Sequence, residues 1–338
     1  MSTSLVVLMV FLGSVMMALQ SSIRRKVLKD KAISPLQFTI VAFGGAMVLH
    51  GVLYVSLYGW TMPHVLEGFW RVVITGGFIN VVIQYFNAKA ASYKQGEQSY
   101  TQPLQAMTPL LITITAITLG ELPSTFGVIG VGCFMVAVYF MTASVDPTKG
   151  KWSYLIPFYR LAQLFQPHRT TEEKEKAIVT VLALSAACLG TMGILMDGLY
   201  ARRGVSLQGI LLGATALVGI LFGSYLVMYL ISPDTKDLVI DDAKRKSAFR
   251  FTALHSCSWV AHVLLIWPPF LLSYVAYVGT LKRFSVPLGV LFGYWFFSEK
   301  KNFRRRMIAA ALTVIGALLI STDHIPEKLS AHIQGLGF

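Results

Sequence analysis

The sequence predicts an all-α polytopic membrane protein, with ten transmembrane helices arranged as two inverted five-helix repeats. Three observations predict it. First, 55% of the 338 residues are hydrophobic and only 13% are charged, and the mean hydropathy is +0.62. Soluble domains carry about 25% charged residues. Apolar runs of about twenty residues recur along the chain, where a β-barrel would alternate over about ten. Second, an acidic turn recurs: Glu121 follows Pro109 by the same interval as Glu299 follows Pro287. Third, Lys and Arg are concentrated in every other connection between the apolar runs.

The spans fall at roughly 4–22, 35–58, 68–88, 98–119, 124–143, 176–199, 208–231, 250–267, 274–297 and 306–321. Connections must be polar or tight, because lipid cannot satisfy free backbone groups. The first span is followed, not preceded, by positive charge at Arg24, Arg25 and Lys26, so it reads as a retained helix rather than a secretory signal. The eighth and ninth spans are nearly continuous, and the break is placed after Pro268-Pro269. The longest connection is 144–175. Within it, 152–165 carries apolar residues at helical spacing and suits an interfacial amphipathic helix; Pro157 leaves a plain linker as the alternative. Thr170 with Glu173 offers a capping box for the sixth span.

The connections after spans 1, 3, 5, 7 and 9 hold 23 of the 29 Lys and Arg residues. The positive-inside rule then puts both termini outside, periplasmic in a bacterial inner membrane. The same distribution accounts for the net charge of +13 without nucleic acid. Cys133, Cys188 and Cys257 lie in apolar stretches with no metal or redox spacing.

The two halves align in order. Leu12-Gly13-Ser14 matches Leu189-Gly190-Thr191, residues 35–37 match 206–208, and the two Pro–Glu pairs match, at offsets of 177, 171 and 178 residues. Five crossings per copy make the second copy start on the opposite side, so the duplication is inverted. The expected units are 1–143, a connecting segment 144–175, a second repeat 176–322 and a tail 323–338. Glu121 and Glu299 sit where a helix-start anion is favoured, which is the plainer reading of both.

The stretches "GELPSTFGVIGVGCFMVAVYFMTAS", "YWFFSEKKNFRRRMIAAALTVIGALLIST" and "AYVGTLKRFSVPLGVLFGYWFFSEK" resemble the drug/metabolite transporter superfamily, in its EamA-like branch. The resemblance covers nearly the whole chain except 144–176, and Ser298 replaces the glycine that Gly120 supplies before the first acid. It implies five-plus-five inverted helices around a central cavity and alternating access.

Candidate site residues follow from polar side chains within spans. Lys282 and Arg283 lie inside span 9, where each charge costs at least about 2.5–3.5 kcal/mol on insertion scales. Water, an acid or a bound anion must offset that cost; snorkelling to the interface is the alternative. Asn80, Gln84 and Asn87 form one face of span 3. His255, Trp259 and His262 share a face of span 8 with Ser258. Such faces line wet cavities or make helix–helix hydrogen bonds. Tyr100, Gln102 and Gln105 in span 4 and Tyr277 in span 9 complete the set, with Tyr277 equally suited to an interfacial belt. Asp197 is a candidate for coupling; pairing with a cation or a place among the headgroups are its alternatives.

No phosphate-binding glycine loop, zinc-ligand spacing or nucleophile elbow is present, so neither ATP drive nor enzyme chemistry is supported, and no cofactor or metal is expected. The expected function is secondary transport of a small polar metabolite with a negatively charged group. A flippase-like carrier of a lipid-linked or amphipathic molecule and an amino-acid or drug exporter are the alternatives. The expected partners are the small-molecule substrate and the lipid bilayer, with the protein a monomer or weak homodimer.

Overall fold

The structure, a computed structural model, describes residues 3–29, 31–94, 108–117, 124–142, 170–231 and 241–297, together with 308, 311, 312, 314–316 and 319. The described residues are helical and contain no strand. The helices are α1 Thr3–Lys29, α2 Pro35–Tyr58, α3 Phe69–Ser92, α4 Thr108–Ile117, α5 Thr125–Thr142, α6 Thr171–Gly204, α7 Leu207–Ile231, α8 Asp242–Ile266, α9 Val275–Leu281 and α10 Ser285–Phe297. Among the described residues, seven helical stretches are long and apolar enough to cross a membrane, and Thr125–Ala137 is a shorter apolar helix. The acidic turns at Glu121 and Glu299, the segment 152–165 and the tail lie outside the described residues.

Helix α6 is longer than expected at both ends, Thr171–Gly204, and three further differences have a local reason. Helix α1 runs on to Lys29 instead of ending near residue 22. Arg24 and Arg25 are not loop charges: Arg25 donates to the carbonyls of Ala91 and Tyr93 at 2.9 and 2.8 Å, closing the end of α3. Helix α8 begins at Asp242 rather than near 250, because the Asp241 carboxylate accepts from the N–H groups of Ala243 and Lys244. That is an N-cap, and it turns a polar connection into a helical first turn. Span 9 is also not one regular helix. A three-residue 3₁₀ segment, Lys282–Phe284, joins α9 to α10. Pro287 explains it: proline has no N–H to return to the carbonyl four residues back, and its ring crowds that carbonyl. The break after Pro268 and Pro269 falls where expected, as a short 3₁₀ turn.

The helices pack in a defined pattern. Helix α1 lies against α8, α2 against α7 and α3 against α6; α8 also meets α2, and α3 also meets α7. The first three pairs are antiparallel. Gln20 of α1 donates to the carbonyl of Ser258, while the Nδ1 of His262, one turn further along α8, lies 3.3 Å from the carbonyl of Gly13. Gly76 packs beside Met196, and Ile83 beside Gly193. Helices α2 and α7 are tied at both ends by the same kind of pair. Gln37 donates to the Tyr229 hydroxyl at 3.3 Å, and Gln208 donates to the Tyr54 hydroxyl at 3.2 Å. Ser34 with Gln37 forms a full capping box at the start of α2, with Pro35 in the first turn.

The core joins Phe43, Tyr225, Leu217, Val263, Tyr277 and Phe284, among others. Large apolar side chains also face outward, including Leu8, Val52, Phe78, Val128, Val227 and Leu254. In water so much exposed apolar surface would drive association. Against hydrocarbon it is the matching surface, so the chain is read as an integral membrane protein.

Candidate functional site

The backbone brings α1, α3, α6, α8 and the α9–α10 joint around a cavity of about 130 Å³. Each helix turns a polar face to it. From α3 come Asn80, Gln84 and Asn87, the expected run. From α1 come Gln20, Ser21 and Arg24, spaced so that they share one side of the helix. Helix α6 offers small residues, Ala186, Ala187, Gly190 and Gly193, and then Asp197. Helix α8 contributes Trp259 and His262, followed by Trp267, and the joint contributes Lys282, Arg283 and Ser285.

Lys282 and Asp197 form an ion pair, Nζ to Oδ2 at 3.5 Å, with both side chains 9% exposed. A pair this buried resists separation, because a lone charge left behind lacks solvation; removing one partner of such a pair costs about 3–5 kcal/mol. Trp267 lies beside the same carboxylate. Arg283 follows Lys282 on the tightened turn and is also buried. Arg24 donates to the Gln84 side-chain carbonyl at 2.8 Å. Asn80 donates to the carbonyl of Gly76 at 3.0 Å. Among the described residues the cavity therefore holds three cationic side chains and one carboxylate, beside amide and aromatic groups.

The tightened turn is itself held from across the interface. Ser14 on α1 lies within hydrogen-bonding distance of three carbonyls: Val10 at 2.7 Å on its own helix, Lys282 at 3.2 Å and Leu281 at 3.4 Å. A bond from this hydroxyl to the Lys282 carbonyl would fix the backbone that carries the basic pair.

The expected residues thus divide. Lys282, Arg283, Asn80, Gln84, Asn87, Trp259, His262 and Asp197 line one cavity. His255 does not. It is fully buried, its ring set edge-on to Phe38 at 5.0 Å and to Phe43 at 6.5 Å. It lies two turns from His262, and packing between α8 and α2 covers that level of the helix. Tyr277 is likewise core rather than lining, with its ring 5.6 Å from that of Tyr274. Tyr100, Gln102 and Gln105 lie outside the described residues.

Sequence reasoning missed Arg24, Gln20 and Trp267. The signal for the first two was present in the spacing of Gln20, Ser21 and Arg24, and was hidden by reading the basic run as a loop.

No protein-family model and no curated protein matches the chain. Several solved chains are similar in fold, among them a crystal structure described only as that of a protein. It shares 14% identity at a TM-score of 0.62, over 94% of this chain and 95% of that one.

Proposed function

We propose that this chain is a secondary carrier for a small polar anion, built from ten helices in two inverted five-helix repeats. The single observation that carries the proposal is the cavity, which among the described residues is lined by three cationic side chains and one carboxylate between membrane-spanning helices. Such a site is costly in lipid unless an anion or water occupies it. The packing supports the repeat. Exchanging the halves turns the α1–α8 contact into α6–α3, turns α8–α2 into α3–α7, and returns α2–α7 to itself. The Gln37–Tyr229 and Gln208–Tyr54 bonds join the same two helices at opposite ends, each from a glutamine near the start of one helix to a tyrosine near the end of the other. Antiparallel packing of α1 with α8, and of α3 with α6, supports opposite orientation of the two copies, as does an odd number of crossings in each.

Function then follows from rocking one repeat against the other around a binding site near the bilayer midplane. The driving force is a gradient, since the sequence has no nucleotide-binding motif. This reading agrees with the resemblance to EamA-like permeases of the drug/metabolite transporter superfamily, and it places both termini on the periplasmic side of a bacterial inner membrane.

The test is thermal unfolding of the purified protein in detergent against panels of small anions and small cations. A ligand that binds the folded state raises the midpoint by mass action. Anions are expected to stabilise, and Lys282→Ala is expected to weaken that response by roughly tenfold in affinity or more, the scale of a lost charge-assisted contact. Stabilisation by cations alone would reject the reading.

A further inference from the structure

We propose that Asp197 is a proton-binding site coupled to substrate: an arriving anion takes Lys282 from Asp197, and the displaced carboxylate binds a proton from solution. The inference rests on the anion-carrier reading and names what travels with the anion.

The geometry sets up a competition. Lys282 is held 3.5 Å from the Asp197 carboxylate, and both side chains are nearly sealed from solvent. Asp197 is thus a resident counter-ion. An anion seated on Lys282 places its own negative charge within a few ångströms of that carboxylate, and two anions sharing a dry site cannot both stay charged at low cost. A sulfate or sulfonate has no proton to lose or gain near neutral pH, so the carboxylate is the partner that changes. The step forms one O–H bond on Asp197 and breaks none in the substrate; the proton comes from water or buffer.

The surroundings leave few other acceptors. Beside Asp197 are Lys282 from the tightened turn, Trp267, and Tyr200 from its own helix; Arg283, Arg24 from α1 and His262 from α8 line the same cavity. Helices α3 and α7 turn only Asn80, Ile83, Gln84, Asn87 and Leu217 to the cavity, none of which titrates. Helix α4 and the turn Pro268–Leu271, also packed on α6, contain no titratable side chain, and Tyr277 of α9, which packs there too, is buried in the core and does not line the cavity. Among the described residues His262 is therefore the rival acceptor that the experiment must separate.

The experiment uses the full-length protein in weakly buffered detergent, sulfate as probe, and a pH-indicating dye. Sulfate is added from about pH 5 to about pH 8, a range running from above ordinary carboxylate values through that of histidine. Wild type is expected to take up protons on binding, approaching about one per protein. Its sulfate affinity should rise as pH falls, by at most roughly tenfold per pH unit, the limit for one linked proton. Asp197→Asn and Asp197→Ser are expected to bind sulfate with no proton uptake and no pH slope, whereas Asp197→Glu keeps both and His262→Gln, whatever its sulfate affinity, keeps the proton uptake per bound sulfate. Undiminished uptake in a sulfate-binding Asp197→Asn protein overturns the proposal. Sulfate binding without uptake in wild type overturns it too and leaves the anion-site reading standing. No sulfate binding at any pH overturns both. If both Asp197 neutral variants lose the fold, wild-type uptake that survives in His262→Gln decides for the proposal, and uptake that vanishes there decides against it.

Discussion

Two neighbouring arginines on α1 do different work. The Arg24 side chain enters the cavity and holds Gln84. Arg25 points a different way and donates to the carbonyls of Ala91, Tyr93 and Lys94. Adjacent helical side chains diverge by about 100°, so one face reads the cavity and the next reads a helix end. Arg24→Gln is expected to weaken anion binding by roughly tenfold with little change in unliganded stability. Arg25→Gln is expected to do the reverse, lowering stability by about 1–3 kcal/mol as buried carbonyls lose their donors. Anion titration and thermal unfolding of both variants separate the roles. Intramembrane charge was legible from sequence at Lys282 and Arg283, because they interrupt an apolar run. It was not legible at Arg24, because a basic cluster at a helix end looks the same whether its side chains meet solvent or protein.

Val205 joins α6 to α7 with φ at 61°, a left-handed value that a β-branched side chain rarely adopts. The turn is tight for a reason nearby: a Cβ on Gly209 would collide with the carbonyl of Gly204. The strain is local and the Val205 side chain is exposed. Val205→Gly is therefore expected to stabilise the protein by about 1 kcal/mol, the left-handed penalty less the added freedom of the unfolded chain, read as a raised thermal midpoint. Gly209→Ala at the same turn is expected to lower it. Helix existence was legible from apolar length alone. Helix ends were less so, since Asp241, Arg24 and Arg25 extend helices through capping and side-chain bonds that hydropathy does not weigh. The α9–α10 joint had a visible cause in Pro287, but its tightening also involves Ser14, 268 residues away in sequence.

Among the described residues, large apolar side chains face outward around an apolar core, and polar ones line the cavity. Cys188 and Cys257 are both exposed and stand near the middles of α6 and α8. In intact membranes neither is expected to react with a charged, water-soluble maleimide, whereas both should react once detergent-solubilised protein is unfolded. Rapid labelling in the membrane would show that these positions meet water. The cavity's composition was legible from polar faces on separate spans, but the place of His255 was not, because it shares a helix face with His262 and only packing against α2 sends it into the core. The three residues from Lys282 to Phe284 hold one further mechanical consequence. A 3₁₀ stretch turns about 120° per residue and rises about 2.0 Å, against about 100° and 1.5 Å in an α-helix. Unwinding this overwound link to the ordinary pitch would rotate the far half by about 60° and draw it in by roughly 1.5 Å, a crankshaft whose throw swings the basic pair itself.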